Sequence, residues 1–123
     1  MEKVTGIGGS FFRCSDPSAT SKWYHEHLGI EPEVDHPSAV ITWRGGETTV
    51  WGPFEADTDA FGRSGQEFMI NYRVTDLDAM LSQLAAAGVV VADEIEDSQY
   101  GRFGWATDCD GRLFELWQPP EGQ

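Results

Sequence analysis

The sequence predicts an α+β domain made of two tandem copies of one βαβββ unit, and three observations carry that reading. Cys14-Ser15-Asp16 opens a helical stretch ending at Gly29, and Val74-Thr75-Asp76 opens another ending at Gly88, a register of about sixty residues. Each helix follows an apolar run, Ile7 to Cys14 in one case and Phe68 to Val74 in the other. Each copy closes on a tryptophan-bearing strand that ends in proline, Thr48 to Pro53 and Leu113 to Pro119. With 123 residues the chain has the size of one domain, 1–123, with modules of approximately 1–60 and 61–123 that must share a fold.

The elements follow in chain order. Asp16 can cap the first helix with Pro17 at its first position, and Ala19, Trp23, Tyr24, His27 and Leu28 fall at helical spacing before Gly29 stops it. Strands are then expected near Val34, from Val40 to Trp43 and from Thr48 to Pro53, broken by glycine pairs and His36-Pro37. In the second copy Thr75 and Asp78 have capping-box spacing, and Leu77, Met80, Leu81 and Leu84 form the apolar stripe. Strands follow at Val89 to Val91, around Phe103 to Ala106 and from Leu113 to Trp117, the last two joined by the turn Asp108-Cys109-Asp110-Gly111.

Alternation along a strand sorts these side chains onto two faces. Phe68, Ile70, Tyr72 and Val74 should lie under the helix, with Met69, Asn71 and Arg73 opposite. The same parity puts Ser10, Phe12 and Cys14 under the first helix and Gly9, Phe11 and Arg13 away from it. In the last strand Phe114 and Leu116 go under, while Leu113, Glu115 and Trp117 face away.

Composition narrows the function. A formal net charge of −13 leaves no basic stripe for a nucleic-acid backbone or an anionic membrane surface. The acidic clusters Glu31 to Asp35, Glu55 to Asp59 and Asp93 to Asp97 read as solvated loops. No window is apolar enough for a membrane span and no leader pattern opens the chain, so a cytoplasmic protein is expected. Cys14 and Cys109 lack Cys-x-x-Cys spacing and read as free thiols. His25 and His27 diverge on their helix, His36 has no partner in sequence, and no phosphate-binding glycine loop precedes a helix.

The tandem βαβββ pattern resembles the vicinal oxygen chelate superfamily of glyoxalase I, bleomycin-resistance proteins and extradiol dioxygenases. The resemblance rests on the Ser15-Asp16 and Thr75-Asp76-Leu77 helix starts, on Trp23-Tyr24 followed by His27-Leu28-Gly29, and on the ending Thr107 to Pro119. It implies two modules whose sheets curve around one shared cleft, helices on the outer face, and a homodimer. Metal-dependent members hold a divalent ion in that cleft. Laid on this sequence, the ligand positions fall on Gly9, Thr49, Met69 and Glu115, and only Glu115 is a ligand type suited to such an ion. A two-residue slip would bring Glu47 and Glu67 beside Glu115 for a shifted Mg or Mn site.

No cofactor is therefore expected. The leading reading is a small-molecule-binding protein with an apolar or aromatic ligand on Phe11, Thr49, Trp51, Met69, Asn71, Trp105, Glu115 and Trp117, joined by Trp43 and Phe54. The alternative is a lyase, isomerase or dioxygenase in which Glu115 is a metal ligand or the general base. Arg13 and Arg73 match across the repeat, either as surface residues or as contacts for an anionic ligand.

Overall fold

The computed structural model describes residue 2 and residues 10–122. Gly9 and the start of the expected strand from Ile7 lie outside the described residues. The elements are α1 (Pro17–Leu28), β1 (Asn71–Arg73), α2 (Leu77–Ala86), β2 (Glu96–Ser98), β3 (Gly101–Thr107) and β4 (Leu113–Gln118). The strands form one mixed sheet in the order β1-β4-β3-β2, with β1 parallel to β4 and the other pairs antiparallel. This is one complete βαβββ unit, supplied by the second half of the chain.

Both helices start as their sequences dictate. The Asp16 carboxylate accepts from the Ala19 amide at 3.1 Å, Pro17 follows it, and Gly29 closes α1 at φ 70°. In α2 the cap is Asp76, which accepts from Ala79 N at 3.0 Å, and not the Thr75 of the expected capping box. The repeated aspartate thus does the same work twice.

The core lies between α2 and the sheet: Leu77, Leu81, Leu84, Ala106, Phe114 and Leu116 are buried together. Tyr72 stacks edge-on against Phe114 from β1, and Tyr24 reaches both from α1. Truncating the fully buried Phe114 to alanine would cost about 3–5 kcal/mol. At Gly101, the first residue of β3, φ is 116° and a Cβ would run into the Gln118 carbonyl, so only glycine fits there.

A buried polar knot ties the two halves of the chain together. The Tyr24 hydroxyl donates to Asp108 Oδ2 at 2.8 Å, and Arg112 Nη1 donates to the same oxygen at 2.6 Å. The backbone amides of Asp110 and Arg112 both donate to Asp108 Oδ1 at 2.9 Å, so the carboxylate is fully engaged. Arg112 also donates to the Arg13 carbonyl and lies 4.5 Å from the centre of the Phe12 ring. Ser15 donates from its hydroxyl to Asp110 at 2.8 Å, which holds that carboxyl below the usual range. The expected turn at Asp108 to Gly111 is therefore also the anchor for the segment entering α1.

Several strand expectations need correction. Val89 to Val91 contributes only the bridge Val91 to Ala106, and the strand beside β3 is Glu96–Ser98, which overlaps the Asp93 to Asp97 cluster read as a solvated loop. The acidic strand is tolerated because it is an edge, and Asp97 lies opposite Arg102, which donates to it at 2.9 Å. Phe68, expected under the helix, is exposed and lies outside β1. Among the described residues the first half pairs only through the bridge Pro32 to Ala39; residues 10–14, 40–43 and 48–53 form no ladder. Alternation supplies a face but no neighbouring strand, and the backbone of these segments is met instead by side chains, Arg112 on the Arg13 carbonyl and Arg73 on the Thr48 carbonyl.

Candidate functional site

The sheet face turned away from the helices carries two rows of side chains. In the first, Asn71, Glu115 and Trp105 stand directly opposite one another on β1, β4 and β3. Asn71 Nδ2 donates to Glu115 Oε1 at 2.7 Å, and Trp105 Nε1 donates to Glu115 Oε2 at 2.9 Å. In the second row Arg73, Trp117 and Phe103 are the cross-strand neighbours. The Trp117 and Phe103 rings stack with centroids 6.2 Å apart and planes 12° apart, and the Arg73 guanidinium lies 5.8 Å from the Trp117 ring.

Parity on adjacent strands produces this arrangement. Leu116 and Tyr72 occupy the intervening positions and point to the core, so their neighbours are forced to the open side. The start of β4 is held by Gln66, whose side chain both accepts from Leu113 N at 3.0 Å and donates to Leu113 O at 2.7 Å. Nothing in the sequence pattern marked Gln66, because a side chain substituting for a strand has no periodic signature.

A strap from the first half meets the second row at Arg73. Glu47 Oε2 accepts from Arg73 Nη1 at 3.0 Å, Arg73 Nη2 donates to the Thr48 carbonyl, and the Trp43 ring centre is 5.7 Å from the guanidinium. Both members of the ion pair are about three-quarters buried, and Arg73 Nε is buried without a partner.

The structure thus brings Asn71, Trp105, Glu115 and Trp117 together. It does not bring the remaining expected residues to them. Phe11 is 94% exposed and Trp51 is 77% exposed; Thr49 is exposed, and Met69 is half-buried just before β1. Trp43 reaches the rows only through Arg73, and Phe54 packs on Phe61 at 5.2 Å. Arg73, read as a surface residue or a contact for an anionic ligand, and Glu47, considered for a shifted metal site, pair with each other instead; parity with Asn71 marked Arg73's face, but the partnership is long-range.

Chemically, each oxygen of Glu115 has accepted one bond and keeps a further lone-pair direction for a donor on a ligand. Around it lie flat aromatic surfaces and one guanidinium.

A glyoxalase-like domain family model matches residues 10–117, and the chain belongs to that family. Among solved structures the fold is similar to TnmS3, an antibiotic binding protein from Streptomyces sp. CB03234, with 25% identity over 86% of this chain and 88% of that one and a TM-score of 0.53. It is also similar to a member of the glyoxalase/bleomycin resistance protein/dioxygenase superfamily from Sphaerobacter thermophilus DSM 20745, with 25% identity, 85% and 90% coverage and a TM-score of 0.53. A glyoxylase/bleomycin resistance protein/dioxygenase domain from Frankia sp. EAN1pec shares the fold at 16% identity, 96% and 100% coverage and a TM-score of 0.61. No match was found among curated proteins.

The divalent ion that the superfamily implies does not fit the donor set at Glu115. Its flanking groups are an amide and an indole N–H, both donating to the carboxylate oxygens a metal would take. Glu47 is engaged by Arg73, and Glu67 is exposed. Among the described residues no three His, Cys, Asp or Glu side chains converge, and no helix is long and apolar enough to cross a membrane.

Proposed function

We propose that this chain is a binding protein for a small apolar or aromatic molecule, held on the Asn71-Glu115-Trp105 row without a divalent ion. The observation that supports this reading is the Glu115 carboxylate itself, fixed between two neutral donors and flanked by aromatic rings. In that setting it accepts a hydroxyl or N–H of the ligand while the rings cover its flat apolar surface. Similarity to an antibiotic binding protein supports a small-molecule ligand. The fuller reading places the first half as a second βαβββ module curving around the shared cleft, in a cytoplasmic homodimer.

Titration of the purified protein with a panel of polycyclic aromatic antibiotics, followed by tryptophan fluorescence, tests the proposal. The expected result is saturable quenching by at least one member, unaffected by a chelator and weakened about tenfold or more by Trp105→Ala, equivalent to about 1.4 kcal/mol. Absence of quenching across the panel, or quenching that needs an added divalent ion, contradicts it. Turnover of a bound compound that stops in Glu115→Gln would instead assign Glu115 to catalysis.

A further inference from the structure

Three of the chain's eight lysines and arginines, Arg13, Arg63 and Arg112, line one depression of about 310 Å3 where the segment entering α1 meets the turn between β3 and β4. Cys14, Ser15 and Asp110 complete the lining. Such a gathering of arginines runs against a formal net charge of −13, and no residue of it belongs to the rows around Glu115.

The three arginines are not equivalent. Arg112 is neutralised from beneath by the buried Asp108 and is also bonded to the Arg13 carbonyl, so it forms a fixed wall. Arg63 uses one nitrogen on the Asp110 carbonyl at 2.7 Å and has no carboxylate partner among the described residues. Arg13 has no ion pair among the described residues either. Asp110 is the only acid among the described lining residues, and Ser15 occupies both of its oxygens, through the amide at 3.3 Å and the hydroxyl at 2.8 Å. Arg63 therefore keeps free guanidinium donors at the depression, Arg13 lines it without a carboxylate partner among the described residues, and the lining's single carboxylate is already satisfied.

We propose that this depression binds the phosphate group of a small phosphate monoester, with Arg63 and Arg13 as its charged contacts. Guanidinium forks match phosphate oxygens, and a dianion engages two of them where a carboxylate's single charge engages one. The depression is shallow and open to solvent, so an organic substituent on the phosphate would extend into water and not be enclosed. Because the field of the whole chain repels anions, occupancy depends on these local donors.

Amide NMR of the whole chain, titrated with inorganic phosphate at constant ionic strength and in parallel with acetate, reads the site directly. The expected result is saturable shifts at Ser15, Arg63 and Asp110 with phosphate, about tenfold or more weaker binding in Arg13→Gln and in Arg63→Gln, and weaker binding of acetate. Arg13→Gln is the cleaner variant, since its side chain makes no ion pair that the fold needs among the described residues. Shifts that do not saturate, equal affinity for acetate, or phosphate affinity unchanged in Arg13→Gln would overturn the proposal.

Discussion

Asn71 and Glu115 lie opposite each other on adjacent parallel strands, and the Asn71 amide donates to the Glu115 carboxylate at 2.7 Å while Trp105 holds the other oxygen. Removing the acceptor strands both donors. Glu115→Ala is expected to destabilise the fold by about 1 kcal/mol, at the low end for lost hydrogen-bond partners because Asn71 is solvent-exposed. Glu115→Gln keeps an acceptor and should cost less. Urea denaturation of the two variants checks the order, and equal losses would show that the bonds are not what Glu115 contributes.

Asp108 is expected to be the most sensitive polar position. Its carboxylate is inaccessible and compensates Arg112, whose side chain is 13% exposed. Asp108→Ala leaves that guanidinium and the Tyr24 hydroxyl without their acceptor, at a cost of about 3–5 kcal/mol. The midpoint of chemical unfolding should fall accordingly, and the segment before α1 should lose protection from amide exchange first.

Alkaline pH should destabilise the protein through its buried tyrosines. Burial raises the Tyr72 phenol from 10.0 to about 12, and burial likewise pushes Tyr24 up, followed by the neighbouring Tyr72 and Asp108. A phenol whose pKa is raised on folding binds its proton more tightly in the native state. Its stabilising effect is complete below pH 10 and is lost as pH rises toward 12. Thermal midpoints measured across that window should decline, and Tyr72→Phe should flatten the decline.

Glu47→Ala should release the strap without unfolding the sheet. Arg73 would lose its one carboxylate partner among the described residues, at a cost of about 1–2 kcal/mol given that a quarter of each partner is exposed. Faster amide exchange confined to residues 43–48, with β3 and β4 unchanged, is the expected pattern. Global loss of protection would mean that the pair supports the core.

Much of the second half was legible in the sequence because its strands have two faces of different character. Phe114, Leu116 and Tyr72 alternate with Glu115, Trp117, Asn71 and Arg73, and the structure keeps that division. Register between strands has no such local signal, so the bonds from Asn71 and Trp105 to Glu115 had to be seen. The buried role of Asp108 was hidden by its turn motif: Asp-x-Asp-Gly signals a solvated hairpin equally well. The first half was least legible, since Phe11 and Trp51 have strand-like spacing but no paired neighbour among the described residues. Glu96–Ser98 failed in the opposite sense, a strand whose charged side chains look like loop until Arg102 is placed across from Asp97.

The central claim, that Glu115 serves a ligand through hydrogen bonds and not through a metal, is tested most directly by divalent-metal content of the purified chain beside Glu115→Gln. Substoichiometric metal in both proteins is the expected result. One tightly held divalent ion per chain, lost in Glu115→Gln, would contradict it.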